Sequence, residues 1–138
     1  VMSGNIGLQC STVLVRIMAM GGLSPGSRRE TITKELISGI FTGSIFGVSC
    51  ALIVYFLGLM TGGAGTAAAP GAGAAIVGIG LIGGCCAGTL LGVASPLFFA
   101  RIGVDPAISA GPIVTSCNDF LSMTIYFLIA WSVSSLFF

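Results

Sequence analysis

Gly111-Pro112-Ile113-Val114-Thr115-Ser116-Cys117-Asn118-Asp119-Phe120-Leu121-Ser122-Met123-Thr124-Ile125-Tyr126 is the stretch that decides how this chain is read. It opens an apolar run that continues to Phe138 and holds a single acidic residue, Asp119. Placing a carboxylate at bilayer depth costs roughly 3 kcal/mol on insertion scales. A charge kept there faces a bundle interior or a water-filled path, and is a functional-site candidate by default. Gly111, Thr115, Asp119, Ser122 and Tyr126 recur at i, i+4, i+8, i+11 and i+15, which keeps them on one helical face. That face sets oxygen atoms around one negative charge, surroundings that suit hard cations such as magnesium or calcium. Pro112 has no N–H, so a kink is expected there, with the carbonyl of Ile108 freed from its helical partner. Freed carbonyls at membrane depth are tolerated where they line a cavity. The structural alternative is that Asp119 pairs with a polar neighbour on another helix, with Arg16 the basic residue within a span that could serve.

Working outward, the 138 residues are 55% hydrophobic and 7% charged. A soluble domain carries about 25% charge. The composition implies an integral membrane protein, and the long apolar stretches exclude a signal peptide followed by a soluble domain. The fold expected is all-α, a polytopic membrane helix bundle in contact with the lipid bilayer. There is no histidine, which excludes imidazole catalysis and histidine-ligated metals. No nucleophile–base pair and no nucleotide motif stand out, so neither an enzyme nor an ATP-driven pump is expected. A net charge of +1 argues against a nucleic-acid partner. The five cysteines lack CxxC spacing and read as small buried hydrophobes.

Four membrane segments are expected, over residues 1–20, 36–60, 74–100 and 106–138, the last kinked near Pro112. Gly21-Gly22 closes the first, and Asp105-Pro106 opens the fourth as an N-cap followed by proline at the first helical position. Residues 61–73 are uncharged and rich in Gly, Ala and Thr, and read as a flexible loop. Arg28, Arg29 and Lys34 lie between the first two segments and Arg101 between the last two. Basic connections favour the cytoplasm, which places residues 61–73 and the C-terminus outside it. Glycines repeat every four residues at Gly39, Gly43 and Gly47, and again at Gly80, Gly84, Gly88 and Gly92. Such stripes let helices approach closely, in the bundle or in a dimer. The opening Ser3-Gly4-Asn5-Ile6-Gly7-Leu8-Gln9 interrupts an apolar segment with amides, and Asn5 shares a face with Gln9.

Gly4-Asn5-x-Gly7-x-Gln9 followed by Thr12-Val13-Leu14-Val15-Arg16 resembles the second membrane helix of the MgtE-type magnesium transporters. Lys34-Glu35-Leu36-Ile37-x-Gly39 resembles the start of their third. Val104-Asp105-Pro106-Ala107, Pro112-Ile113-Val114-Thr115, Asp119 and Ile125-Tyr126-Phe127-x-Ile129-Ala130 resemble their fifth. The resemblance implies a homodimeric channel in the cell (inner) membrane, with the fifth helices at a central pore and Mg2+ as the transported ion. It puts Asp119 at the pore aspartate, Gly111 and Thr115 near that site, and Asp105 at the cytoplasmic mouth. With Asn5, these make up the candidate cation site. The family pattern also includes a preceding membrane helix and soluble domains, CBS domains among them, so a cytosolic regulatory domain is a further expected partner. Two other readings are carried forward: a non-transporting assembly subunit, and a transporter or exchanger of another divalent cation.

Overall fold

The computed structural model describes residues 2–21, 25–61, 70–109 and 111–137. Every regular element among them is a helix: α1 (Met2–Ala19), α2 (Pro25–Met60), α3 (Pro70–Arg101), α4 (Pro106–Ser109) and α5 (Pro112–Phe137). All but α1 begin with proline, whose missing N–H is harmless at the first helical position and whose φ is already helical. α3 closes at Gly103 with φ 76°. There the Val104 N–H reaches the Phe99 carbonyl at 3.1 Å and the Gly103 N–H reaches that of Ala100 at 3.4 Å. These bonds satisfy the last orphan carbonyls as the chain turns into α4.

Among the described residues, three helices are long and apolar enough to cross a membrane, over Arg29–Met60, Pro70–Arg101 and Pro112–Ser135. The expected first span does not join them. α1 has 18 residues, and Gly4, Asn5, Gln9 and Arg16 interrupt its apolar pattern. It packs against α3 and α5 instead of standing alone in lipid. α2 starts at Pro25, ahead of the expected residue 36, because its charged opening is itself helical. Lys34 donates to Glu30 at 2.6 Å one turn away, and the Thr33 hydroxyl donates to the Arg29 carbonyl at 2.9 Å. With 36 residues, α2 is about 54 Å long, more than a hydrocarbon core of about 30 Å requires. Its charged start therefore projects past the apolar slab. α3 begins at Pro70, inside the stretch expected to be loop; residues 62–69 of that stretch, and 22–24 of the first connection, lie outside the described residues.

The expected kink at Pro112 is a break between two helices: α4 ends at Ser109 and α5 starts afresh with Pro112. The carbonyl of Gly111 is taken up by the new helix, accepting from the Thr115 N–H at 3.2 Å.

α3 is the hub, packed on α2, α5, α1 and α4. Its glycines make this possible. A Cβ at Gly43 of α2 would stand 2.5 Å from Cys85 Cβ of α3, and one at Gly47 2.5 Å from Ile82 Cγ1. On the opposite side, a Cβ at Gly7 of α1 would stand 2.7 Å from the Gly88 carbonyl oxygen, and Gly92 faces the Gly7 backbone just as closely. Both stripes thus pack helices within this chain. Ile6, Cys10, Leu14, Cys85 and Val93 fill the core between α1 and α3. Phe41, Phe56, Phe120, Phe127 and Trp131 are exposed, an apolar exterior suited to lipid or a partner subunit.

Candidate cation site

The first turn of α1 meets α3 and α5 around a pocket of about 430 Å³. Asp119, Ser122 and Tyr126 of α5 line it together with Ser3 of α1 and Gly80 and Gly84 of α3. The rest of its wall is apolar, from Met2, Val77, Leu81 and Met123. Gly80 is needed for this arrangement, since a Cβ there would stand 2.6 Å from the Tyr126 ring. Asp119 is exposed in the single chain. Its Oδ1 would be 3.6 Å from a Cβ on Gly4, which places the carboxylate against the start of α1.

Asn118, the residue before it, is fully buried. Its Nδ2 donates to Ser3 Oγ at 2.7 Å, and the Ser3 hydroxyl is hydrogen-bonded to that of Ser122. Asn118 Oδ1 receives no hydrogen bond among the described residues. Neither Ser3 nor Asn118 is a candidate from the sequence alone. The i, i+4 spacing of Asn118 and Ser122 marks a shared face, but the pairing of α1 with α5 is what brings Ser3 to it.

The five sequence candidates do not gather at one point. Thr115 and Gly111 lie one and two turns nearer the start of α5, both half-buried. The Thr115 hydroxyl stays within reach of its own helix, 3.1 Å from the Pro112 carbonyl oxygen and 3.3 Å from that of Gly111. Asn5 is exposed and does not line the Asp119 pocket. Asp105 caps α4, accepting at Oδ1 from the Ala107 N–H at 2.9 Å. It lines a second pocket of about 790 Å³ with Val15, Met18 and Ala19, at the far end of α1. Among the described residues no three His, Cys, Asp or Glu side chains come together. Arg16 is also far from Asp119. It lies twelve residues beyond Gly4 on α1, about 18 Å at 1.5 Å per residue, so an ion pair between them is out of reach.

Apolar helices of this length, packed through glycine stripes around a carboxylate-lined pocket, define an integral membrane protein of the polytopic α-helical class. The model of the MgtE family of divalent cation transporters matches residues 1–129, and the chain belongs to that family. It is 34% identical over 130 residues to a Bacillus subtilis protein described as magnesium transporter MgtE, covering 94% of this chain and 26% of that protein. Proteins of the same description from Enterococcus faecalis and Thermus thermophilus are each 28% identical over 130 residues. Those matches cover 93% and 92% of this chain and 26% of each relative. The chain thus spans about a quarter of the length of these curated relatives. No solved structure matches it.

Proposed function

We propose that this chain forms the membrane path of a homodimeric magnesium transporter in the cell membrane, with Asp119 as the principal cation-attracting group. The observation that carries this reading is the Asp119 pocket. Magnesium gives up its six octahedral waters reluctantly, and six waters at about 30 Å³ each fill about 180 Å³. The pocket, at about 430 Å³, has room for such an ion. One carboxylate and a few hydroxyls in an otherwise apolar wall suit contact through water rather than direct ligation. The carboxylate supplies the charge, while the hydroxyls of Ser3, Ser122 and Tyr126 address the ion's waters. Asp105 attracts cations at the cytoplasmic mouth, and Gly111 and Thr115 border the way between. Asp119 is exposed in the single chain beside Phe120 and Met123. A second copy laid against this face covers the apolar side chains and brings a second carboxylate to the path.

The driving force is electrochemical: moving a double charge inward yields about 4.6 kcal/mol per 100 mV, twice the single-charge value. Magnesium flux into liposomes holding the purified protein, with and without an inside-negative potential, tests the reading. Uptake that grows with the potential is expected. A folded protein that passes neither magnesium nor manganese, cobalt or calcium moves the assembly-subunit reading ahead.

A further inference from the structure

We infer that Asn118 is a positioning residue for the Asp119 site, acting through Ser3 and Ser122 to set how α1 stands against α5 at the pocket. The inference rests on the transport reading and adds to it a determinant of ion affinity and selectivity.

Asn118 is a fully buried amide whose Oδ1 receives no hydrogen bond among the described residues. A buried acceptor left unmet is destabilising, whereas an apolar side chain of the same shape avoids that cost. Packing alone therefore does not call for an amide at this position. Its other end shows the use. Nδ2 donates to Ser3 Oγ at 2.7 Å, Ser3 is bonded to Ser122, and both serines share the pocket wall with Asp119. The amide thus ties the first turn of α1 to α5 beside the carboxylate.

The surroundings leave little slack. A Cβ at Gly88 of α3 would stand 2.5 Å from the Ser3 carbonyl oxygen and 2.6 Å from Asn118 Oδ1, so the α3 backbone seats both. A Cβ at Gly4 of α1 would meet Asn118 Nδ2 at 3.4 Å and Asp119 Oδ1 at 3.6 Å. One residue of α1 therefore abuts the tether and the carboxylate together. Any shift of α1 away from Asn118 moves the wall that faces Asp119. A hydrated ion is recognised through the positions of its waters, so this wall sets how well a rigid octahedral magnesium shell fits compared with the looser calcium shell.

The test measures half-saturating concentration and maximal flux for magnesium and calcium in proteoliposomes. It compares the parent, Asn118→Leu, Ser122→Ala and Asp119→Asn, with melting temperatures in detergent. Loss of the groups that orient a metal's contacts typically weakens affinity by about 10- to 100-fold. Asn118→Leu is expected to keep the parent's melting temperature, raise the half-saturating magnesium concentration by about tenfold, and narrow the magnesium-to-calcium preference. Its maximal flux should change less. Asn118→Ala, measured alongside, removes the same amide, should move the same quantities in the same direction, and carries the test if Asn118→Leu does not fold. Ser122→Ala, whose hydroxyl itself lines the pocket, is the comparison for direct loss of a water contact. Parent-like half-saturation and selectivity in the folded Asn118 variants, with Asp119→Asn inactive, overturn the inference and leave the transport reading standing. A parent that passes no divalent cation defeats the transport reading, and the inference with it.

Discussion

Gly88 and Gly84 sit one turn apart on α3, and the structure assigns them different tolerances. A methyl group at Gly88 meets the Ser3 carbonyl oxygen at 2.5 Å and Asn118 Oδ1 at 2.6 Å. One of these is backbone and the other is locked in a buried hydrogen-bonded side chain, so α1 or α5 must move to admit it. Overpacking of this kind costs about 1–3 kcal/mol. A methyl group at Gly84 meets Ser122 at 3.5 Å and Ser3 at 3.8 Å, ordinary contact distances. Nothing need move, and alanine is favoured over glycine in a helix by about 1 kcal/mol. Gly84→Ala should therefore be as stable as the parent or slightly more so, while Gly88→Ala, with the same helical gain set against the overpacking, loses about 1 kcal/mol. Thermal and denaturant unfolding of the three proteins in one detergent, followed by circular dichroism, reads the order directly. If Gly88→Ala unfolds with the parent, or both variants fall together, the close approach of α1 to α3 at Gly88 is wrong. The arrangement of the Asp119 pocket then loses its support.

Gly43→Leu should destabilise the packing of α2 on α3, because even a Cβ there would stand 2.5 Å from Cys85 Cβ; thermal unfolding in detergent checks this. At Asp105, which caps α4 through the Ala107 N–H, asparagine should keep the cap and alanine lose about 0.5–2 kcal/mol. Equal loss of flux in both variants, with only Asp105→Ala destabilised, separates a charge role at the mouth from the cap. A cysteine at Ser27, in a background free of other cysteines, should be labelled from the cytoplasmic side only, since Arg28, Arg29 and Lys34 flank it. Labelling from outside intact cells reverses the orientation.

The membrane class and the long helices were legible because apolar runs are local signals. The start of α2 was not, since a charged stretch such as Arg28–Lys34 reads as a linker until its i, i+4 pair is placed on a helix. At Pro112 the sequence announced a disturbance but not its form. Whether proline bends a helix or begins a new one depends on how α4 docks against α1 and α3. For the site, Asp119 stood out because charge in an apolar run is costly, and Ser122 and Tyr126 followed from helical periodicity. Periodicity also grouped Gly111 and Thr115 with them, although the pocket closes around the start of α1 and leaves those two outside its lining. Ser3 and Asn118 were hidden because their meaning lies in a contact between residues 115 positions apart. The glycine stripes told of close packing without naming the partner; the structure turns one toward α3 from α2 and the other toward α1 and α5.

The central claim is that the Asp119 charge carries the cation path. Asn keeps the size and polarity of that side chain and removes its charge, so Asp119→Asn separates attraction from packing. The decisive measurement is the initial rate of magnesium entry into liposomes under a fixed inside-negative potential, for parent and Asp119→Asn protein at equal folded amounts. The account predicts a sharp loss of flux with an unchanged melting temperature. A folded Asp119→Asn protein that passes magnesium at the parent's rate would contradict it.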